Sequence, residues 1–509
     1  MMTMEEYIKS LGFEQNPFQH FNADKEIDAL GGYFIAPDYF EDLWGDPANP
    51  VSNIIYAPRG GGKTAQRIMI EKRALETKEV LTITYTNHDL SAFKKIEEVD
   101  INYHLVYLNR LLLLAFFNRL LDHDFNFDFT FTFTERQYIY KIARVYLYDT
   151  PASFPNQAYH SLKKVEDYAV DIWKGFKEPI VNVIQQITKS KSGVELDLSK
   201  VELDKKLQQS HRDNFRNIVQ LLNKAGYSCI YVLVDKVDEQ SLTGNNSEDS
   251  FLLIKDLIKD LELLELEGIS FKFFLWDALR QFASVAARPD RVFSYDLNWN
   301  REQIRDMLNK RTQYYSNNTV TSFSSLFESP RLLGRVILFS ELSPRDCVRI
   351  CNRIISEQFK ADPAQKVFRE DIVNRAIEHF CREKASELIT NSTNLKHLTK
   401  TKQVSFTIEE LVQNQVASDT GAVRNIINPW TNGDFARKIG TVTRKGAKAV
   451  NEYAFQDVRL AFMACPTMGV QDFLDNKVRQ CKVATCKTIF YRDFDRKAYA
   501  CPNCNTVSE

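Results

Sequence analysis

Residues 53–64 read Asn-Ile-Ile-Tyr-Ala-Pro-Arg-Gly-Gly-Gly-Lys-Thr. The apolar run at 54–57 reads as a short buried strand. Pro58 ends it, because proline has no N–H to give to a sheet ladder. Gly60, Gly61 and Gly62 then let the backbone turn its N–H groups inward with no Cβ in the way. A helical pattern begins at Lys63-Thr64 and runs on through Ala65, Ile68 and Met69. Strand, glycine turn and helix N-terminus in that order make a phosphate-binding loop, or P-loop. Lys63 reaches the β- and γ-phosphates of a nucleotide, and Thr64 offers its hydroxyl to Mg²⁺. Arg59, Gly60, Gly61 and Gly62 line the same loop. The strict motif opens on glycine; here Ala57 stands in that place, a departure that relaxed loops accept.

A chain of 509 residues is long enough for about three or four domains. Its 44% apolar and 26% charged residues match a soluble globular protein rather than a membrane or disordered one. The net charge of −1 gives no global attraction to nucleic acid or lipid, so any basic surface must be local. The start, MMTMEEYIKSLGF, has no basic segment followed by an apolar core, so no secretory signal is expected. No apolar run approaches the roughly 18 residues of a membrane span. The closest, 105–117, is broken by Asn109 and Arg110. Nine cysteines without an export signal suggest reduced thiols or metal ligands, and a cytoplasmic location.

The second anchor is 229–239, Cys-Ile-Tyr-Val-Leu-Val-Asp-Lys-Val-Asp-Glu. Five apolar residues, 230–234, suit a central parallel strand. Asp235 stands at its C-terminal end, where α/β sheets bind ligands. That is the place of a Walker B carboxylate holding Mg²⁺ through water. An acid that orients the attacking water belongs close by. It usually follows the Mg²⁺ residue directly, but Lys236 is there, and the acids are Glu239, the first choice, and Asp238. This departure leaves binding intact and puts hydrolysis in question.

Further strands are expected at 80–85 (VLTITY), 271–275 (FKFFL) and 292–297 (VFSYDL). With 54–57 and 230–234 they make five strands joined by helical crossovers: an α/β P-loop NTPase three-layer sandwich. Residues 100–215 read mainly as a helical insertion. Within it, Phe125, Phe127, Phe129, Phe131 and Phe133 alternate at period two, as an edge strand buried in the chain or a greasy loop for a partner. The polar stretch 188–206 reads as a linker or small hairpin.

These features together resemble the additional-strand ATPases, the group of AAA+, STAND, Orc/Cdc6-like and KAP-like proteins. The Asn16-Pro17-Phe18 turn resembles their lead-in, in which Pro17 and Phe18 would wall the adenine; a surface turn with Phe18 buried is the other reading. The segment 296–311, DLNWNREQIRDMLNKR, resembles their lid entry, with Arg311 at its end. The Ser-Pro-Arg-Asp at 343–346 resembles the site of their sensor 2 arginine, which implies that Arg345 touches the γ-phosphate from the lid. Arg280, Arg288 and Arg291 flank the last two strands, and each is either an arginine finger or an ordinary surface arginine. The resemblance covers about 10–360. It implies a nucleotide held between core and lid, ATP-driven closure and self-association, with a link to prokaryotic defence systems at the level of the family.

The remainder divides in two. Residues 406–462 suggest a winged helix: helices at 406–417 and 421–433, then a hairpin of 435–443 and 447–460 about Arg444-Lys445-Gly446. Between 421 and 455 stand Arg424, Arg437, Lys438, Arg444, Lys445 and Lys448 against Asp434 and Glu452. That local surplus suits DNA phosphates, and a protein partner or separate effector is the other reading. At the C-terminus Cys481-x4-Cys486 and Cys501-Pro-Asn-Cys504, fourteen residues apart, read as a tetrathiolate zinc ribbon. Four thiolates leave no open position, so the Zn²⁺ would be structural. The strand-like 489–491 and 497–499 lie between the pairs. Cys229, Cys347, Cys351, Cys381 and Cys465 read as core.

The expected organisation is a lead-in at 1–50, a P-loop core at 51–299, a helical lid at 300–400, a winged-helix-like domain at 401–470 and a zinc ribbon at 476–509. The expected function is an ATP-binding, slowly hydrolysing switch for assembly. The alternative is a non-hydrolysing scaffold or a DNA-binding regulator.

Overall fold

The computed structural model describes residues 2–121, 131–147, 150–151, 154–162, 210–442, 449–493 and 499–508. The chain divides into two compact units. One holds Glu26–Gly31 and Ala36–Asn298; the other holds Met1–Lys25, Gly32–Ile35 and Trp299–Glu509.

In the first unit five strands form one parallel sheet: β1 (Asn53–Ala57), β2 (Val80–Tyr85), β3 (Cys229–Val234), β4 (Ile269–Trp276) and β5 (Phe293–Asp296). Their order across the sheet is β2-β3-β4-β1-β5. All neighbours run parallel, with Tyr56 beside Leu275 and Val234 beside Phe273. This is the α/β P-loop fold with an additional strand, β4, between the P-loop strand and the strand carrying Asp235. β1, β2 and β3 are buried along their whole length, as continuous apolar runs covered on both faces require. β5 is the exposed edge.

The helix Ile101–Leu121 is apolar nearly all round and sits in the core beside the helix His211–Lys224. Within it, the His104 ring is paired on both nitrogens. His104 meets Tyr85 Oη at 2.7 Å and the Leu253 carbonyl at 2.8 Å. No helix among the described residues is long and apolar enough to cross a membrane. The alternating phenylalanines fall partly outside the described residues (Phe125, Phe127, Phe129). Phe131 packs on Phe116, ring centroids 5.8 Å apart. Phe133 corrects the strand reading, because it opens the helix Phe133–Leu147 and is 48% exposed. A local device overrides the period-two pattern: Thr132 Oγ1 accepts from Glu135 N, and Glu135 accepts from Thr132 N. The linker 188–206 lies outside the described residues.

The second unit is mostly helical, with Arg301–Tyr315, Arg331–Phe339, Pro344–Ala361 and Glu370–Leu388 as its main helices. The strands β6 (Ser405–Thr407), β7 (Ala436–Val442) and β8 (Val450–Phe455) form an antiparallel sheet ordered β6-β8-β7. The helices Ile408–Gln413 and Thr420–Asn432 lie between β6 and β7. The expected run of strand to 460 stops at 455. Asp457 accepts from the N–H groups of Arg459 and Leu460 and caps the helix Val458–Met463. Arg444, Lys445, Gly446 and Lys448 lie outside the described residues.

Arg459 is 6% exposed and bonds Asp457 and, at 2.8 Å, Asp346, which Lys384 also meets at 3.2 Å. The five cysteines read as core are all buried. Arg311 is buried too, donating to the carbonyls of Pro17 and His20, with its guanidinium 4.5 Å from the Tyr33 ring centroid. It ties the first residues of the chain to the helix Arg301–Tyr315.

One charged group in the sheet has a pH signature. Lys272 of β4 is 1% exposed, with Nζ 3.2 Å from Asn53 Oδ1 and 4.4 Å from the Tyr231 ring centroid. Burial lowers its pKa to about 7, and pushes the nearby Cys229 thiol up to about 12. Above pH 7 the unfolded chain keeps a lysine proton that the native sheet has released, so stability rises with pH until the unfolded lysine also titrates. Urea unfolding at pH 7 and pH 9 should show that gain, at most about 1.4 kcal/mol per pH unit. Lys272→Met should remove it; a variant with an unchanged gain would contradict the assignment.

Candidate phosphate site and four-cysteine cluster

The loop after β1 has the geometry its sequence demands. Gly61 N donates to Pro58 O at 3.0 Å, and a Cβ on Gly61 would stand 2.9 Å from that same oxygen. Gly62 has φ 102° and is the N-cap of the helix Lys63–Thr77. No other residue type holds both positions without strain. Lys63 Nζ folds over the loop, 3.0 Å from Ala57 O and 3.2 Å from Pro58 O.

The parallel sheet opens β1 and β3 at the same end, and this joins the two motifs. Thr64 Oγ1 donates to Asp235 Oδ2 at 3.0 Å. Asp235 is 1% exposed, and its Oδ1 accepts from Lys236 N at 2.9 Å. Lys236 takes a left-handed conformation, φ 61°, and starts the turn Val237–Glu239. That turn separates the two candidate acids. Asp238 is 6% exposed and its Oδ2 accepts from Arg59 Nε of the P-loop at 2.9 Å. The Arg59 guanidinium also lies 4.0 Å from the Trp276 ring centroid, at the end of β4. Glu239 is exposed. Of the two acids, the fold thus brings Asp238 to the loop. Gln240 donates to Lys236 O at 2.7 Å and to Thr86 O at 3.1 Å, tying this turn to the end of β2.

Two residues that the sequence reading passed over complete the site. Arg67 Nε donates to Asp235 Oδ2 at 3.1 Å, and Arg67 also pairs with Glu71 one turn on. Both are 3% exposed. The available signal was a charged pair at i, i+4 on the helix face that also buries Ile70 and Ala74.

The remaining candidates lie in the second unit. Phe18 is fully buried, its ring 4.7 Å from that of Phe323. Its burial matches the other reading of this turn, a core phenylalanine. Arg345 is half-buried in the first turn of the helix Pro344–Ala361, whose N-cap Ser343 accepts from Asp346 N at 3.3 Å. Of the loop arginines, Arg280 pairs with Asp296, Arg288 with Asp290 at 3.3 Å and Arg291 with Glu265 at 2.7 Å.

Cys481, Cys486, Cys501 and Cys504 converge, with all four sulfurs within 4.8 Å of one another. Sγ of Cys481 and Cys504 are 3.6 Å apart, and those of Cys486 and Cys501 are 3.7 Å apart. Four Zn–S bonds of about 2.3 Å in a tetrahedron place sulfurs about 3.8 Å apart, so the cluster is compatible with zinc. Hydrogen bonds from Thr488 lower the Cys486 thiol pKa to about 6, toward the thiolate a metal needs. The hairpins β9 (Val478–Gln480) with β10 (Ile489–Tyr491), and β11 (Tyr499–Ala500) with β12 (Val507–Ser508), carry the cysteines. Lys497 and Ala498 lie outside the described residues.

No protein-family model matches the chain, and no curated protein matches it. Among solved structures it is similar to the Orc1 protein of Aeropyrum pernix in complex with DNA, at 11% identity and a TM-score of 0.35. That match covers 88% of this chain and 94% of the other. It is also similar to Cdc6p of Pyrobaculum aerophilum, at 9% identity and a TM-score of 0.31, over 90% and 97% of the two chains. The P-loop fold stands on strand order and loop geometry, independently of these two likenesses.

The cluster makes a direct prediction. Elemental analysis of the purified chain should find one zinc per molecule, and Cys486→Ser or Cys501→Ser should bring it well below half. A metal-free wild type, purified without chelator, would overturn the zinc reading.

Proposed function

We propose that the chain is an ATP-binding P-loop ATPase of slow turnover that works as a nucleotide-dependent switch. The observation that carries this is the Thr64–Asp235 contact, which unites the phosphate loop and the metal carboxylate across an intervening strand. The oxygens of Thr64 and Asp235 would hold Mg²⁺, which would supply charge neutralisation at the β- and γ-phosphates. Lys63 would leave its loop carbonyls for the phosphates, and the backbone N–H groups of 60–64 would cradle them.

Asp238, rather than the exposed Glu239, is the better candidate to orient the attacking water, because it is buried and fixed to the loop through Arg59. Lys236 in a left-handed turn, where an acid usually stands, supports slow turnover. It also favours the second reading, a scaffold that binds nucleotide and does not cleave it. Arg345 is the candidate sensor arginine. Within the AAA+, Orc/Cdc6-like and STAND group, such a switch would couple nucleotide to self-association, and a defence role would place the output on a separate effector.

The three-stranded sheet and the helices Ile408–Gln413 and Thr420–Asn432 support a winged helix. Arg424, Arg437 and Lys438 are exposed on it and suit DNA phosphates. Replacing these three by alanine should weaken DNA binding uniformly across sequences and lower its salt dependence. Unchanged affinity at two salt concentrations would remove DNA as a partner of this surface.

Calorimetry should show that Lys63→Ala weakens Mg-ATP binding about 10- to 100-fold. Normal binding by that variant would sink the nucleotide assignment. Phosphate release should fall about 100-fold or more in Asp238→Asn and remain near wild type in Glu239→Gln. The reverse order would return the role to Glu239, and no release by the wild type, with or without DNA, would favour the scaffold.

A further inference from the structure

Asp235, Arg67, Glu71 and Thr84 form a continuous buried chain of polar groups, each 3% exposed or less. Arg67 Nε meets Asp235 Oδ2 at 3.1 Å, on the same oxygen that accepts from Thr64. Arg67 Nη1 pairs with Glu71, and the same Glu71 oxygen accepts from the Thr84 hydroxyl of β2. The chain thus runs from β2, through the helix that follows the phosphate loop, to the tip of β3.

A guanidinium stays charged at any pH a protein tolerates, and burying it requires carboxylate partners. Asp235 alone would satisfy that need. The pair would then be neutral, and a carboxylate neutralised by a guanidinium has little attraction left for a divalent cation. Glu71 changes the sum. With one cation and two anions the trio carries a net charge of −1, the charge of a single free carboxylate. Asp235 therefore keeps a fixed orientation, held by Thr64, Arg67 and Lys236 N, without losing the field that draws metal.

We propose that Glu71 is a positioning residue for the divalent cation: acting through Arg67, it restores to Asp235 the charge that Arg67 cancels. The proposal rests on the nucleotide reading above and deepens it by naming what tunes the metal requirement. Its rival is that Arg67 and Glu71 only fill the core as a neutral pair. On that view, loss of Glu71 perturbs packing and loss of both perturbs it more.

The two views separate in a double-mutant cycle read by nucleotide binding rather than turnover. A fluorescent ADP analogue is titrated in EDTA, and then at increasing free Mg²⁺. Glu71→Gln keeps the shape and takes the trio from −1 to neutral. It should raise the Mg²⁺ concentration for half-maximal effect about tenfold, with each variant's own binding in EDTA as the reference. Arg67→Met with Glu71→Gln removes one charge of each sign and returns the site to −1. It should bring the Mg²⁺ midpoint back to within about threefold of wild type, although it is the more heavily altered protein. Thermal melts of each variant, taken without nucleotide, check folding. An unchanged midpoint in Glu71→Gln, or a double variant worse than the single one, overturns the proposal and leaves the nucleotide site standing. A wild type that binds no nucleotide in either buffer overturns both.

Discussion

The carboxylate of Asp235 is the junction on which the first unit depends. It is 1% exposed at the end of a strand, so its charge must be satisfied by protein groups. It takes the Thr64 hydroxyl from the phosphate loop, the Arg67 guanidinium from the following helix and the N–H of Lys236 from its own turn. Each donor comes from a segment whose place is set by the strand order. With β1 and β3 parallel and one strand apart, loop and carboxylate emerge at one end of the sheet within hydrogen-bonding distance. An antiparallel β3 would carry Asp235 to the opposite end, and the site would not exist.

The second unit handles buried charge by the same rule with a different result. Asp346 sits one residue after Arg345 and is held by Arg459 and Lys384. Glu341 accepts from Val458 N and, at 3.2 Å, from the Tyr491 hydroxyl of β10. The short segment before Arg345, in which Glu341 and Leu342 both have positive φ, is therefore anchored on either side to the helix Val458–Met463. Removing one partner of such a network leaves an uncompensated charge, which costs about 3–5 kcal/mol. The Arg345 turn is thus fixed from behind by residues over a hundred positions later in the chain. Through Tyr491 it is also tied to the hairpin that precedes the second cysteine pair.

Local signals were legible where covalent chemistry or short spacing sets the outcome. GGGKT after a strand specifies its loop because only glycine accepts those backbone angles. The cysteine pairs specify their cluster because four sulfurs have few other stable arrangements in reduced form. Signals were misleading where a local cap outweighed a pattern. Phe133 looked like the end of an alternating strand until the Thr132–Glu135 box turned it into a helix start. Asp457 likewise ended a strand that its hydrophobicity would have continued. Phe18 was readable either as a surface for a base or as core, and its burial beside Phe323 is visible only in the tertiary structure.

By itself, then, the sequence determined a glycine loop of the phosphate-binding pattern, a carboxylate at the end of an apolar strand and two cysteine pairs at metal-ligand spacing, because those patterns are written in a few residues at close spacing. It also determined β1 and β3, whose unbroken apolar runs fit a sheet covered on both faces, whereas β5 lies exposed at the edge. The tertiary structure alone decided which acid stands at the loop. A three-residue turn in a left-handed start buries Asp238 against Arg59 and turns Glu239 outward, and nothing in Lys-Val-Asp-Glu announces it. It alone decided that Arg67 and Glu71 join Asp235 in one buried network. Their spacing looks like an ordinary helix pair until β2 and β3 close over it and exclude the water that would have made the pair unremarkable.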